Sequence, residues 1–161
     1  MKSLNDSLKE YKKHMELGII PKAYRGILDF MRVLRNHLKE KYPDYLFSGN
    51  IFEGRMDYTY FHFTSPLLKQ HQLKIVILFV HETMSFEVLL SGTNRKVQAK
   101  YWRLLKDNNF TKYQFATDPN KEDYIINHSM SDDPNFSDLD LLIQQLLDDV
   151  DVFVNDVKKI F

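Results

Sequence analysis

Apolar residues recur every three to four positions at both ends of the chain and every second position through its middle. That change of period predicts helices, then a sheet, then helices again. Leu4, Leu8, Tyr11 and Met15 share one face of a first predicted helix over residues 3 to 17, with Ser3 as its N-cap and Gly18 just past its end. A second helix follows, in which Tyr24, Ile27, Leu28, Met31, Leu34 and Leu38 form the apolar face, Pro21 opens the first turn and Pro43 stops the run. Its other face carries Lys22, Arg25, Arg32, Arg35 and Lys39, the pattern of a solvated surface.

From Tyr45 to Gly92 the residues become aromatic and β-branched and the period falls to two, which predicts four strands. They run near Tyr45 to Phe52, Met56 to Thr64, Leu73 to Val80 and Met84 to Leu90, with a polar link from Leu67 to Gln72. The third is apolar at positions of both parities, as a central strand covered on both faces would be. His81, Glu82 and Thr83 turn it into the fourth, so those two should pair antiparallel. Ser91 to Asn94 form a corner with capping residues, and Val97, Tyr101, Leu104 and Leu105 stripe the helix after it.

Residues 108 to 123 have no clean period, and Tyr124 to Ser129 read as a short edge strand. The last helix carries Leu139, Leu142, Leu146, Val150, Phe153 and Val157 at close to heptad spacing. The expected fold class is therefore α+β, in one domain over residues 1 to 161: a mainly antiparallel sheet of four or five strands, two N-terminal helices, one helix after the central hairpin and a long C-terminal helix.

Composition adds limits. A compact chain of 161 residues buries roughly 70% of its unfolded surface and needs no staples. With 22 basic and 22 acidic side chains, net charge gives no support for nucleic-acid or membrane-surface binding. The absence of cysteine excludes disulfides, thiolate metal sites and a cysteine nucleophile, and the absence of a long apolar run makes the cytoplasm the expected compartment. Charge is unevenly placed, however: residues 92 to 113 hold six basic and one acidic side chain, residues 114 to 161 three basic and eleven acidic. The basic helix is thus expected near the acidic C-terminal helix, within the domain or across a homodimer formed through that helix.

Two constellations carry candidate chemistry. Lys96, Lys100 and Arg103 fall at i, i+4 and i+7 on one helix face, and Arg95 and Lys96 sit beside Gly92, Thr93 and Asn94 at that helix's N-terminus. Cations in a first turn are unfavourable there unless they and the free N–H groups hold a phosphate or carboxylate. The plainer reading is a polar face, paired with acids or solvated. Trp102 lies off the core stripe, as padding for the core edge or as a contact anchor.

The second constellation is Asp57 and Glu87, which would hold a divalent cation as in metal-dependent phosphodiesterases if they converged on one sheet face. The Lys expected two residues after such a Glu is absent, since Leu89 stands there. His81 and Glu82 begin like a zinc-protease motif but lack its second histidine. No nucleophile elbow, P-loop or dinucleotide fingerprint is present.

The stretches IIPKAYRGILDFM, KYPDYLFSGNIFEGRMDYTYF, LKIVILFVHE and FEVLLSGTNRKVQAKYW together resemble a family of small uncharacterised bacterial proteins of unknown function, across most of residues 18 to 106. The resemblance implies no activity, ligand or catalytic residue. What the residues themselves favour is a non-catalytic binding or interaction module without a cofactor. Its anion or protein partner would be reached through Gly92 to Lys106, and the alternative is a hydrolase using Asp57 and Glu87.

Overall fold

In the computed structural model, which describes all 161 residues, the chain opens with helix α1 (Leu4–Glu16). Ser3 and Asp6 close a reciprocal capping box at its start, so both orphan amides there are satisfied. Gly18, in the left-handed region with φ 72°, turns the chain into α2 (Ile19–Lys41). Then come β1 (Leu46–Phe47), β2 (Tyr58–Thr64), the short helix α3 (Pro66–Gln70), β3 (Leu73–Val80) and β4 (Ser85–Gly92). The chain finishes with α4 (Arg95–Asp107), β5 (Gln114–Phe115), β6 (Ile126–Ser131) and α5 (Leu139–Lys158).

The strands form one antiparallel sheet in the order β1-β2-β3-β4-β6-β5. The α+β reading holds. The sheet has six strands, one more than the pattern distinguishes, because the two-residue β5 lies in the stretch 108 to 123 that has no clean period. The segment Leu46–Phe47 is all that remains of the first predicted strand, with a single bridge from Phe52 to Tyr60 beyond it. Gln114–Phe115 forms the outer edge, so the strand beginning at Ile126 lies inside the sheet and is not an edge. The polar link after Pro66 is a helical turn capped by Ser65, whose hydroxyl accepts from the Leu68 amide at 3.1 Å.

One face of the sheet meets α2 and α5. Phe61 and Phe63 of β2, Ile75, Ile77 and Phe79 of β3, and Phe86, Val88 and Leu90 of β4 are all fully buried there. They pack against Phe30, Met31, Leu34 and Leu38 of α2 and against Leu142, Leu146, Val150, Phe153 and Val157 of α5, in one cluster of 26 residues. Two tyrosines pin the C-terminal half of α5: Tyr42 Oη donates to Asp151 at 2.6 Å and Tyr113 Oη to Asp156 at 2.6 Å.

This packing corrects the dimer expectation. The heptad-like seam containing Leu142 and Leu146 lies in the chain's own core and is not free to face a second copy. The acidic helix also does not neutralise α4: Asp151 pairs with Lys41 and Asp156 with Lys112 and Lys159. No helix is long and apolar enough to cross a membrane.

The opposite sheet face has no helix over it. Its positions are Tyr58, Tyr60 and His62 on β2, Lys74, Val76, Leu78 and Val80 on β3, and Glu87, Leu89 and Ser91 on β4, the alternate residues of the same strands. The doubly apolar character of β3 therefore does not mark a strand covered on both sides. One of its apolar rows packs under α2 and α5; the other has no helix over it, and there Val76 and its neighbour Leu89 are buried among side chains of the same face while Leu78 and Val80 are partly exposed.

Candidate functional site on the open sheet face

A concave depression of about 650 Å³ lies on this uncovered face. Val76, Leu78 and Leu89 form its floor, Tyr58 and Tyr60 one wall, and the corner Gly92–Arg95 with Gln98, Glu122, Asp123 and Tyr124 the opposite rim. Its size falls in the range of small-molecule sites, and its apolar floor is ringed by a rim more polar than such sites usually have, since only six of the sixteen lining residues are hydrophobic.

The rim is built by α4 and the segment before β6. Asn94 caps α4, its side-chain oxygen accepting from the Val97 amide at 2.9 Å. The Thr93 amide donates to the Gln72 carbonyl at 2.9 Å. Gly92 is required by close approach: a Cβ there would stand 2.7 Å from the Gln98 backbone nitrogen and 3.0 Å from the Asn94 carbonyl oxygen.

Gln98 is buried and staples the rim together. Its amide nitrogen donates to the carbonyls of Pro119 at 3.0 Å and Glu122 at 2.5 Å. Ser91 Oγ donates to the Asp123 carbonyl at 2.7 Å, which engages the only serine hydroxyl lining the depression.

The predicted site residues divide. Gly92, Thr93, Asn94 and Arg95 line the depression. Arg95 is already satisfied, since its guanidinium bonds the Glu122 carbonyl and pairs with Asp123 at 2.6 Å. Lys96, Lys100 and Arg103 share an exposed face of α4 outside the depression, and none is ion-paired. Within the predicted stripe Leu104 is exposed, and Gln98, Tyr101 and Leu105 are the buried set. Trp102 clamps the edge strand: Nε1 donates to the Ala116 carbonyl at 2.8 Å, and Lys106 Nζ sits 4.5 Å from the centre of its ring.

Asp57 and Glu87 are not brought together. Glu87 stands opposite Leu78, which stands opposite Tyr60, and Asp57 precedes Tyr60 by three residues. Two strand spacings of about 4.8 Å and three residues of about 3.4 Å put their backbones about 14 Å apart. The Asp57 carboxylate accepts from the amides of Arg55 at 2.8 Å and Tyr58 at 2.7 Å, which hold its pKa below the usual range. Nor do any three His, Asp or Glu side chains group as a metal site.

His81 is a satisfied core residue on the helical side. Thr59 donates its only hydroxyl proton to the Glu53 carbonyl at 2.9 Å, so the 2.7 Å contact requires His81 Nε2 to be the donor. Burial lowers the imidazole's pKa, against a smaller opposing pull from Asp57.

A family model described as Domain of unknown function (DUF7000) matches residues 4–161. The chain belongs to the DUF7000 family. The match takes in the whole described fold from α1 to α5, and so extends past the stretch from 18 to 106 in which the resemblance is strongest to the eye. No curated protein and no solved structure matches the chain.

Around the depression of this DUF7000 domain three charged side chains stand without an ion pair: Lys74 and Glu87 on the strands, and Glu122 on the rim, whose carboxylate accepts from the Thr117 and Asp118 amides. Burial pushes the Glu87 carboxyl up and Asp132 adds to the rise, while a hydrogen bond from Asn127 opposes both. Tyr124 is pushed up to about 12 by burial and by its hydrogen bond to Glu122. Pattern reading missed Lys74, Gln98 and Tyr124. A signal existed for Gln98, a polar residue at i, i+3 and i+7 with Tyr101 and Leu105 on a buried arc.

Proposed function

We propose that this chain is a bacterial, cytoplasmic binding module without catalytic activity, and that a small ligand carrying an anionic group sits on the open face of its sheet. The supporting observation is the unpaired Lys74 at the corner end of a depression whose floor is apolar. An antiparallel sheet commonly leaves one face to water, but that face is then polar. Here it carries Val76, Leu78 and Leu89 in adjacent register.

A second reading places the anion, or an acidic protein partner, on the outward stripe of Lys96, Lys100 and Arg103. It is favoured by their lack of ion pairs.

A thermal-shift screen against carboxylated and phosphorylated metabolites tests both, because a ligand of the native state raises the midpoint by mass action, about 2.7 kcal/mol at a hundred times Kd. With any ligand so found, Lys74→Gln should abolish the rise and the triple change Lys96→Gln, Lys100→Gln, Arg103→Gln should leave it. The reverse result moves the site to the stripe. A rise unaffected by either variant removes both readings.

A further inference from the structure

Lys74 is one of two unpaired charges on the strands of the open face, and the other has the opposite sign; the rim carboxylate of Glu122 is held by the Thr117 and Asp118 amides. Glu87 is half-buried between Leu78 on β3 and Ser129 on β6, with Leu89 next along its own strand. Burial raises its pKa, the neutral amide of Asn127 across on β6 works against that rise, and the negative charge of Asp132 adds to it. A carboxylate in such a place is unfavourable unless something cationic completes it. No side chain of the protein does so: every ion pair in the chain involves other carboxylates.

The register fixes how the two charges relate. Glu87 pairs with Leu78, and Lys74 lies four residues back along the same strand, opposite Ser91. Along the strands they are about 13 Å apart. The row between them is Val76 beside Leu89, two apolar side chains. Tyr60 stands in the Glu87 row, and Tyr124 is close enough for the Glu87 charge to raise its hydroxyl pKa. Aromatic faces near a carboxylate suit an ammonium group.

We infer that the open face recognises an extended zwitterion, with a cationic group at Glu87, an apolar middle over Val76 and Leu89, and an anionic group at Lys74. The inference rests on the proposed function, which requires only the Lys74 end. A single α-amino acid is too compact to reach both charges. Four extended residues span about 13 Å, which makes a short peptide with free termini, or a linear amino acid of similar length, the class that fits.

Tetraalanine, N-acetyl-tetraalanine and tetraalanine amide are the probes, titrated into the full chain by calorimetry, with 8-aminooctanoate as a zwitterion that lacks peptide groups. Free tetraalanine should bind saturably, and acetylating its amine or changing Glu87→Gln should each weaken binding by about tenfold, the order expected for losing one side of a desolvated charge pair. The two losses should not add: Glu87→Gln should bind the acetylated and free peptides alike. Lys74→Gln should show the mirror behaviour toward the amide. Amide-proton spectra of each variant confirm that the fold is kept.

Binding of 8-aminooctanoate alongside tetraalanine supports charge and apolar spacing as sufficient, and binding of tetraalanine alone supports a peptide ligand. If the acetylated peptide binds wild type as tightly as the free one while Lys74→Gln still abolishes binding, the zwitterion inference falls and the anion site stands. If no probe binds wild type, both fall.

Discussion

The two faces of β2, β3 and β4 are made by alternate residues of the same three strands, and they behave as different materials. Phe61, Phe79 and Phe86 point one way and are sealed under α2 and α5. Tyr60, Leu78 and Glu87, one residue along in each strand, point the other way and line an open depression. Because side-chain period in a strand is two, a one-residue slip would exchange the faces, so register here determines both stability and the site. An apolar run in a strand thus has two physical settings in this chain, burial under helices and the floor of a depression that no helix covers.

The contrast breaks most visibly by truncation. Phe86 packs against Phe30 at 5.4 Å and Phe79 at 5.0 Å between ring centres. Phe86→Ala should lower unfolding free energy by about 3 to 5 kcal/mol, the usual cost of emptying an aromatic core position. Leu78→Ala, on the open side of the neighbouring strand, should cost less than about 1 kcal/mol because no layer covers it. Urea unfolding of the two variants measures the difference, and equal costs would mean that the open face is covered in solution.

Acid should test the same contrast more gently, since one histidine belongs to each face. His81 lies under α2, its ring centre 5.5 Å from that of Tyr24 with the two planes tilted, and His62 lies on the open side. Both have pKa values lowered in the fold, chiefly by burial and, for His62, also by the charge of Lys74. The unfolded chain then binds protons that the folded chain refuses. Stability should be flat above an unfolded histidine pKa of about 6.5 and fall as pH drops below it. Changing both histidines to Gln should flatten the profile between about pH 7 and 5. A second loss, from the lowered carboxylates Asp57 and Asp156, should remain below about pH 4.

The smallest effect is expected at α1, whose apolar positions Leu4, Leu8, Tyr11 and Met15 are all exposed. Leu8→Ser should shift thermal stability by no more than about 0.5 kcal/mol. A larger loss in dilute protein would show that the helix face packs against something in solution.

Much of the fold was legible because its signals are local. Ser3 caps the first helix as its position suggests, Asn94 from the predicted corner caps α4, and the change of period at Tyr45 marks the first strand of the sheet. What failed depended on tertiary neighbours. The heptad seam of α5 and the exposed stripe of α1 have comparable spacing, and only packing decides that one is core and the other is not. The candidate site was half legible. Its rim from Gly92 to Arg95 carries capping and charge signals, whereas Lys74 and Tyr124 join it only through strand order, which places β6 directly beside β4. Charge counting was right for the segments and wrong for the helix stripe: Arg95 pairs with Asp123 and Lys112 with Asp156, both between the basic and acidic segments, but Lys96, Lys100 and Arg103 pair with no acid of α5.

The position of α5 also has a kinetic consequence. It contributes Leu142, Ile143, Leu146, Val150, Phe153, Val154 and Val157 to the core, and its contact with α2 through Tyr42 and Asp151 joins residues 109 apart in sequence. During synthesis every strand is therefore made before the helix that seals half of the sheet. Until then the nascent chain shows apolar surface on both sides, one side awaiting α5 and the other never covered, and closing so distant a contact is slow. That interval, more than the finished fold, is where this protein is open to aggregation.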